Sequence, residues 1–231
     1  MARLPRLVIP HHPHHVIQKG HDEQAIFRDE EDFLMFLSRL REAARQFDVA
    51  VHAYVLMSTH LHLLLTPHDE QGLARMMQWV GRQYVPYFNR KYQRSGSLWQ
   101  GRYRATVLEA DAYLLLCSRY IELNPVRSGV VVTPEQYPWS SYLHHVGARP
   151  DAWMSDHALY WELGNTPFDR EAAYRQLVEQ GVTQKETDML GRAIYTAWAL
   201  GSEVFKDGLE RDSERRVRPG KRGRPALLER T

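Results

Sequence analysis

Residues 49–67, VAVHAYVLMSTHLHLLLTP, constrain this chain more than any other stretch. Two apolar runs of strand length flank Ser58-Thr59, which reads as a pair of antiparallel strands joined at a turn. Ahead of them, HHVIQKG (14–20) reads as a strand ending at Gly20. DEEDFLMFLSRLREAARQF (29–47) reads as a helix, because Phe33, Phe36, Leu37, Leu40, Ala44 and Phe47 recur at helical spacing and acidic residues fill the first turn. After the pair, EQGLARMMQWVGRQYVPYFNRKY (70–92) is a second helix with Leu73, Met76, Met77, Val80 and Tyr84 as its apolar stripe. Pro86 is expected to kink it. GRYRATVLE (101–109) is a candidate fourth strand. DAYLLLCSRYIEL (111–123) is a third helix, with Asp111 as its expected N-cap. Its limit is near Asn124, since a residue before proline is pushed away from helical geometry.

The order strand, helix, strand, strand, helix, strand, helix is a split βαβ arrangement. It predicts an α+β fold of the ferredoxin-like or RRM-like kind, an antiparallel sheet with helices on one face. In a chain of 231 residues this unit is expected over 1–148. DREAAYRQLVEQG and QKETDMLGRAIYTAWALG predict a small C-terminal helical appendage over 149–210. Residues 211–231 are expected to be a flexible basic tail.

Cys117 is the single cysteine, so an internal disulfide is excluded. The N-terminus lacks a long apolar segment, and no run of about 20 apolar residues exists to span a membrane. The expectation is a reducing cytoplasm. The net charge of +2 hides an uneven distribution. FNRKYQRSGSLWQGRYR (88–104) interleaves Arg and Lys with aromatic rings, which suits a nucleic-acid strand because cations meet phosphates while rings stack on bases.

In a strand, residues two apart share a face, so His60 and His62 point the same way and Leu61 and Leu63 the other. Two imidazoles side by side make two corners of a divalent-metal site, or else a hydrogen-bonded polar pair. Tyr120 and Asn124 lie four apart and share a helix face. Asn124 offers an amide oxygen to a metal and Tyr120 a phenol at its edge. A phenol beside a metal suggests nucleophilic attack on a phosphodiester through a covalent phosphotyrosine. The alternative makes Tyr120 a core tyrosine and Asn124-Pro125 a helix stop.

HVIQKG, VLMSTHLHLLLTP, YFNRKYQRSGSLWQGRYRA and YIELNPVRSGVV together resemble the HUH transposases with a single tyrosine, and most closely their REP-associated branch. The resemblance covers about residues 5–145. It implies that His60 and His62 are metal ligands, that Asn124 takes the third ligand position, and that Tyr120 is the nucleophile. It implies Mg²⁺ or Mn²⁺ as cofactor, a 5′-phosphotyrosine with a free 3′-hydroxyl, and single-stranded or hairpin DNA as partner. Ser58-Thr59 departs from the Pro-Asn or Pro-Glu commoner before the first histidine. Relatives act as monomers or homodimers, so the oligomeric state stays open. A non-catalytic DNA-binding regulator on the same scaffold is the first rival reading, and a phosphodiesterase in which water attacks is the second.

Arg90, Lys91, Arg94, Arg102 and Arg104 are expected to contact phosphate. Trp99 and Tyr103 are candidates for base stacking, with a core anchor as the alternative for Trp99. Arg127, directly after Asn124-Pro125-Val126, is a further phosphate candidate. His11, His12, His14 and His15 read as solvated polar residues or a second metal site, solvation being the simpler account. Arg222 and Arg224, in RGRP of the tail, resemble an AT-hook core, and nonspecific affinity explains them more simply.

Overall fold

The computed structural model of the chain describes residues 6–213 and 215–219. Strands β1 (His14–Lys19), β2 (Val49–Leu56), β3 (His60–Pro67) and β4 (Arg104–Val107) form one antiparallel sheet in the order β2-β3-β1-β4. The long helices α1 (Glu30–Gln46) and α2 (Gly72–Lys91) interrupt them and α3 (Ala110–Glu122) follows them, in the order the sequence predicts. The fold is therefore the α+β split βαβ expected from the order of periodicities. The β2–β3 turn falls at Ser58-Thr59, where Met57 N–H donates to the His60 carbonyl at 2.8 Å.

Asp29 caps α1 by accepting from the Asp32 amide at 3.2 Å. Helix α2 passes through Pro86 without ending. The N-cap of α3 corrects the sequence reading: Glu109 holds that position, and Asp111 is the second residue of the helix. The Glu109 carboxylate is drawn off to Ser202, whose backbone N–H and hydroxyl donate to it at 2.6 and 2.8 Å. Asp111 stays exposed in the first turn, where its charge complements the helix dipole.

Strand parity decides what each face of the sheet touches. Leu61, Leu63, Leu65, Val16 and Tyr54 pack with Phe36, Leu40, Met76, Val80 and Tyr84 from α1 and α2. Ala53, Val55 and Leu64 point the other way and pack with Leu114, Cys117, Tyr120 and Ile121 of α3. The expectation of helices on one face thus holds for α1 and α2, whereas α3 covers the opposite face. Leu64 and the β2 positions beside it are apolar on that side too, and α3 buries them.

Six further helices follow among the described residues: α4 (Asn124–Arg127), α5 (Tyr142–His145), α6 (Ala158–Trp161), α7 (Pro167–Glu179), α8 (Gln184–Thr196) and α9 (Glu203–Ser213). Capping boxes at Thr166/Asp169 and Thr183/Glu186 start α7 and α8. Leu123, Tyr142, Val146, Tyr160, Tyr174 and Val178 share one apolar cluster that fastens α6 and α7 beneath the end of α3. Helix α8 lies over β4, with the Thr106 hydroxyl donating to the Ala193 carbonyl at 2.8 Å.

Candidate active site

The face covered by α3 carries the histidines. His62 pairs with Ile17 of β1, which pairs with Arg104 of β4, so the three form one row across the sheet. Lys19 stands opposite His60 in the next row. The His60 and His62 rings lie 5.3 Å apart at 88°. His60 Nδ1 meets the Thr59 hydroxyl at 3.1 Å. His62 Nδ1 meets His15 Nε2 at 2.8 Å, with the two rings stacked at 5.0 Å. Each ring of the pair therefore spends Nδ1 on a neighbour.

Burial pushes His60 down to about 4, helped by the Lys19 ammonium. Burial also holds His62 well below the usual imidazole range, with the neighbouring His15 and His60 rings adding to it. His15 is lowered to about 3 by burial and by the Arg127 charge. All three rings are thus neutral at pH 7, the form that ligates a cation. With its proton on Nδ1, His62 donates to His15 and keeps the Nε2 lone pair. A carbonyl or carboxylate usually takes this orienting role; here a third imidazole does.

Sequence reasoning missed His15 and misread His14. Both are buried on β1, whereas solvation was the expected account of the histidine-rich N-terminus. The available signal was their place at the start of HHVIQKG, a run already read as a strand. His14 is held by the His12 carbonyl at 2.7 Å and accepts from the Ile9 amide at 3.1 Å.

Helix α3 brings Tyr120 onto the histidine face. Its ring lies 5.8 Å from His62 and 5.6 Å from His15, edge-on to both. Asn124 is buried one turn later, hydrogen-bonded to the His60 ring and accepting from Ser128 Oγ at 3.3 Å. The short α4 helix turns the chain back, so that Arg127 stacks its guanidinium 4.0 Å above the Tyr120 ring and donates to the Tyr120 carbonyl at 2.8 Å. Burial raises the Tyr120 phenol above its ordinary value and the Arg127 charge opposes that rise. His60, His62, Tyr120, Asn124 and Arg127 therefore converge from β3, α3 and α4. Two neutral imidazoles and an amide oxygen are a donor set that fits a divalent cation.

The basic-aromatic segment does not act as one surface. Arg90 and Lys91 close α2 and Arg94 follows it, across the sheet from the histidines. Lys91 is corrected from a phosphate contact to a structural cation: Asp29, Glu31 and Asp32 hold its ammonium at 2.7, 2.8 and 3.1 Å. Arg94 packs over the Phe88 ring at 5.7 Å, and Arg90 is exposed. Trp99 stacks on Tyr84 at 6.2 Å, the core-anchor alternative. Tyr103 is buried with the Arg6 guanidinium 3.7 Å above its ring, which leaves no open face for a base. Arg102 and Arg104 emerge beside β1, on the side of His60 and His62. Arg222 and Arg224 lie outside the described residues.

A tyrosine on a helix, set against a histidine pair on the central strand of a split βαβ sheet, marks a class of DNA-processing enzyme. The family model of IS200-like transposases matches residues 9–124, just over half of the chain and every element of this site but Arg127. The chain belongs to that family and is a transposase. A Haemophilus influenzae protein described as a REP-associated tyrosine transposase is 25% identical over 130 residues, spanning 51% of this chain and 74% of its own length. A REP-associated tyrosine transposase solved bound to a REP hairpin shares the fold, with a TM-score of 0.55 at 19% identity over 68% of this chain and 93% of that one. Among the described residues, no helix is long and apolar enough to cross a membrane.

Proposed function

We propose that this transposase nicks and rejoins single-stranded DNA through a 5′-phosphotyrosine at Tyr120, acting on strands that carry a REP-like hairpin. The observation that carries the reading is the Tyr120 ring set edge-on to His62 at 5.8 Å, drawn from a helix distant in sequence. The phenol oxygen attacks the scissile phosphorus and the bond to the 3′-oxygen breaks. The phenol loses its proton and the departing oxygen gains one, leaving a 3′-hydroxyl. A later 3′-hydroxyl reverses the step and joins a new strand.

His60, His62 and Asn124 would hold Mg²⁺ or Mn²⁺. Such a cation, when bound, withdraws charge from the scissile phosphate and orients it for in-line attack. His15 fixes the His62 ring through the 2.8 Å bond. Arg127 packs on the nucleophile and offers its remaining donors to the same phosphate. Residues 1–148 are the proposed catalytic unit, with 149–210 a helical addition to it. The hairpin is the finer part of the reading and rests on the likeness to REP-associated relatives.

Incubation with labelled hairpin-bearing single strands and Mn²⁺, followed by denaturation and mass spectrometry, tests it. The expected product is a protein–DNA adduct at Tyr120 that Tyr120→Phe abolishes. Cleavage that survives Tyr120→Phe would instead assign the attack to water, and DNA binding with no cleavage would leave a regulator.

A further inference from the structure

Helix α8 brings Tyr195 against the sheet edge that leads away from the histidines. The Lys19 ammonium donates to the Tyr195 hydroxyl at 2.5 Å and lies 5.2 Å from its ring centroid. The Arg104 guanidinium lies 5.0 Å from the same ring and donates to the Tyr195 carbonyl at 2.6 Å. Ile17, Lys19, Gln100, Arg102, Arg104 and Tyr195 line a surface cavity of about 450 Å³, with Glu23 on one wall. Among the described residues, none of the cations Lys19, Arg102 and Arg104 pairs with a carboxylate, Glu23 included.

Two cations held about one phenol with no counter-charge repel each other, and an anion between them relieves that repulsion. Lys19 stands in the row of His60, and Arg104 in the row of His62. Two strand spacings, roughly 10 Å, separate Arg104 from His62. A strand whose scissile phosphate sits at the histidines can lay a nearby phosphate over this cavity. We propose that Lys19, Arg104 and Tyr195 form a phosphate subsite for single-stranded DNA beside the cleavage point, with the C-terminal helical region supplying Tyr195. Tyr195 presents its hydroxyl proton to the phosphate and fixes the Lys19 side chain. Tyr195 and Lys19 are positioning residues. The inference rests on the reading of this protein as a single-strand nicking enzyme.

The test measures binding alone, in a Tyr120→Phe background, by fluorescence anisotropy of single-stranded DNA across a salt series. Lys19→Gln is expected to weaken binding about tenfold at low salt and to flatten the logarithmic salt slope by about 0.7 on every sequence. Lys19→Arg keeps the slope. Tyr195→Phe removes one hydroxyl and is expected to weaken binding about threefold with the slope unchanged. Arg90→Gln, across the sheet, serves as the comparison. An unchanged slope in Lys19→Gln, or an equal loss in Arg90→Gln, overturns the subsite. The adduct assay on the parent protein separates the two readings: no adduct with a Lys19-dependent slope sinks the phosphotyrosine chemistry and supports the subsite, whereas an adduct with an unchanged slope sinks the subsite alone.

Discussion

The histidine pair on β3 and the histidine pair on α5 have surroundings that differ in one respect. On β3, His60 and His62 meet a hydroxyl and a third imidazole through Nδ1, and among the described residues neither ring pairs with a carboxylate. On α5, His144 spends both nitrogens: Nδ1 accepts from the Asp151 amide at 2.9 Å and Nε2 donates to Asp156 at 3.1 Å. His145 bonds the buried Glu122 at 2.7 Å. Glu122 also accepts from Tyr174 at 2.7 Å and from the Ser141 hydroxyl. One ligand atom each from His144, His145 and Asp156 lies within 4.8 Å of the others, close enough to hold a cation. Proximity alone therefore does not distinguish the pairs. The pair available for chemistry meets only uncharged partners through its Nδ1 atoms; the pair tied to carboxylates holds elements together.

The largest expected effect falls on the strand pair. His60→Ala, or chelation of the parent protein, is expected to cut adduct formation on the order of 10³-fold, because several kcal/mol of charge stabilisation at the phosphate are lost. His144→Gln is expected to leave it unchanged. Equal losses in the two variants, read by the adduct assay, would break the comparison.

Next in size is Glu122→Ala. It strands His145, Tyr174 and Ser141 and is expected to cost about 3 kcal/mol, roughly 6–12 °C of melting temperature for a chain of this size. Calorimetry checks it, and a loss under about 1 kcal/mol would contradict a structural role for the helix pair. His15→Phe removes the partner of His62 Nδ1 while keeping a ring on β1. Mn²⁺ affinity, followed by titration calorimetry, is expected to fall about 10–100-fold. Unchanged affinity would mean that His15 does not orient the ligand.

The smallest effect concerns the sheet's other buried rings. Burial lowers His14 and His52 to about 4. Their unfolded value lies near 6.5, so between those limits the unfolded chain binds protons that the native state refuses. Stability is full above the unfolded value and falls as pH drops through the window, by on the order of 1 kcal/mol per ring at pH 5.5. Denaturant melts at pH 7.5 and 5.5 should differ in that direction, and the difference should shrink in His52→Gln.

Much of this was legible in the chain itself. Alternation in HLHLLLTP placed His60 and His62 together, and helical spacing placed Tyr120 and Asn124 one turn apart, because both patterns depend only on local backbone geometry. The run order set the sheet. Lys91 was not legible, because its carboxylates come from Asp29, Glu31 and Asp32, some sixty positions away. Tyr103 was not legible because Arg6, 97 positions earlier in the chain, covers it.

Local periodicity therefore determined the elements, the hairpin register and the candidate set of imidazoles, amide and phenol. Tertiary packing alone decided that α3 lies on the histidine face, that His15 meets His62, and that α8 sets Tyr195 beside Lys19 and Arg104. Backbone geometry repeats every two or 3.6 residues and is written into neighbouring side chains. The choice of face depends on how all the apolar surface of the chain is buried at once, and no short stretch carries that information.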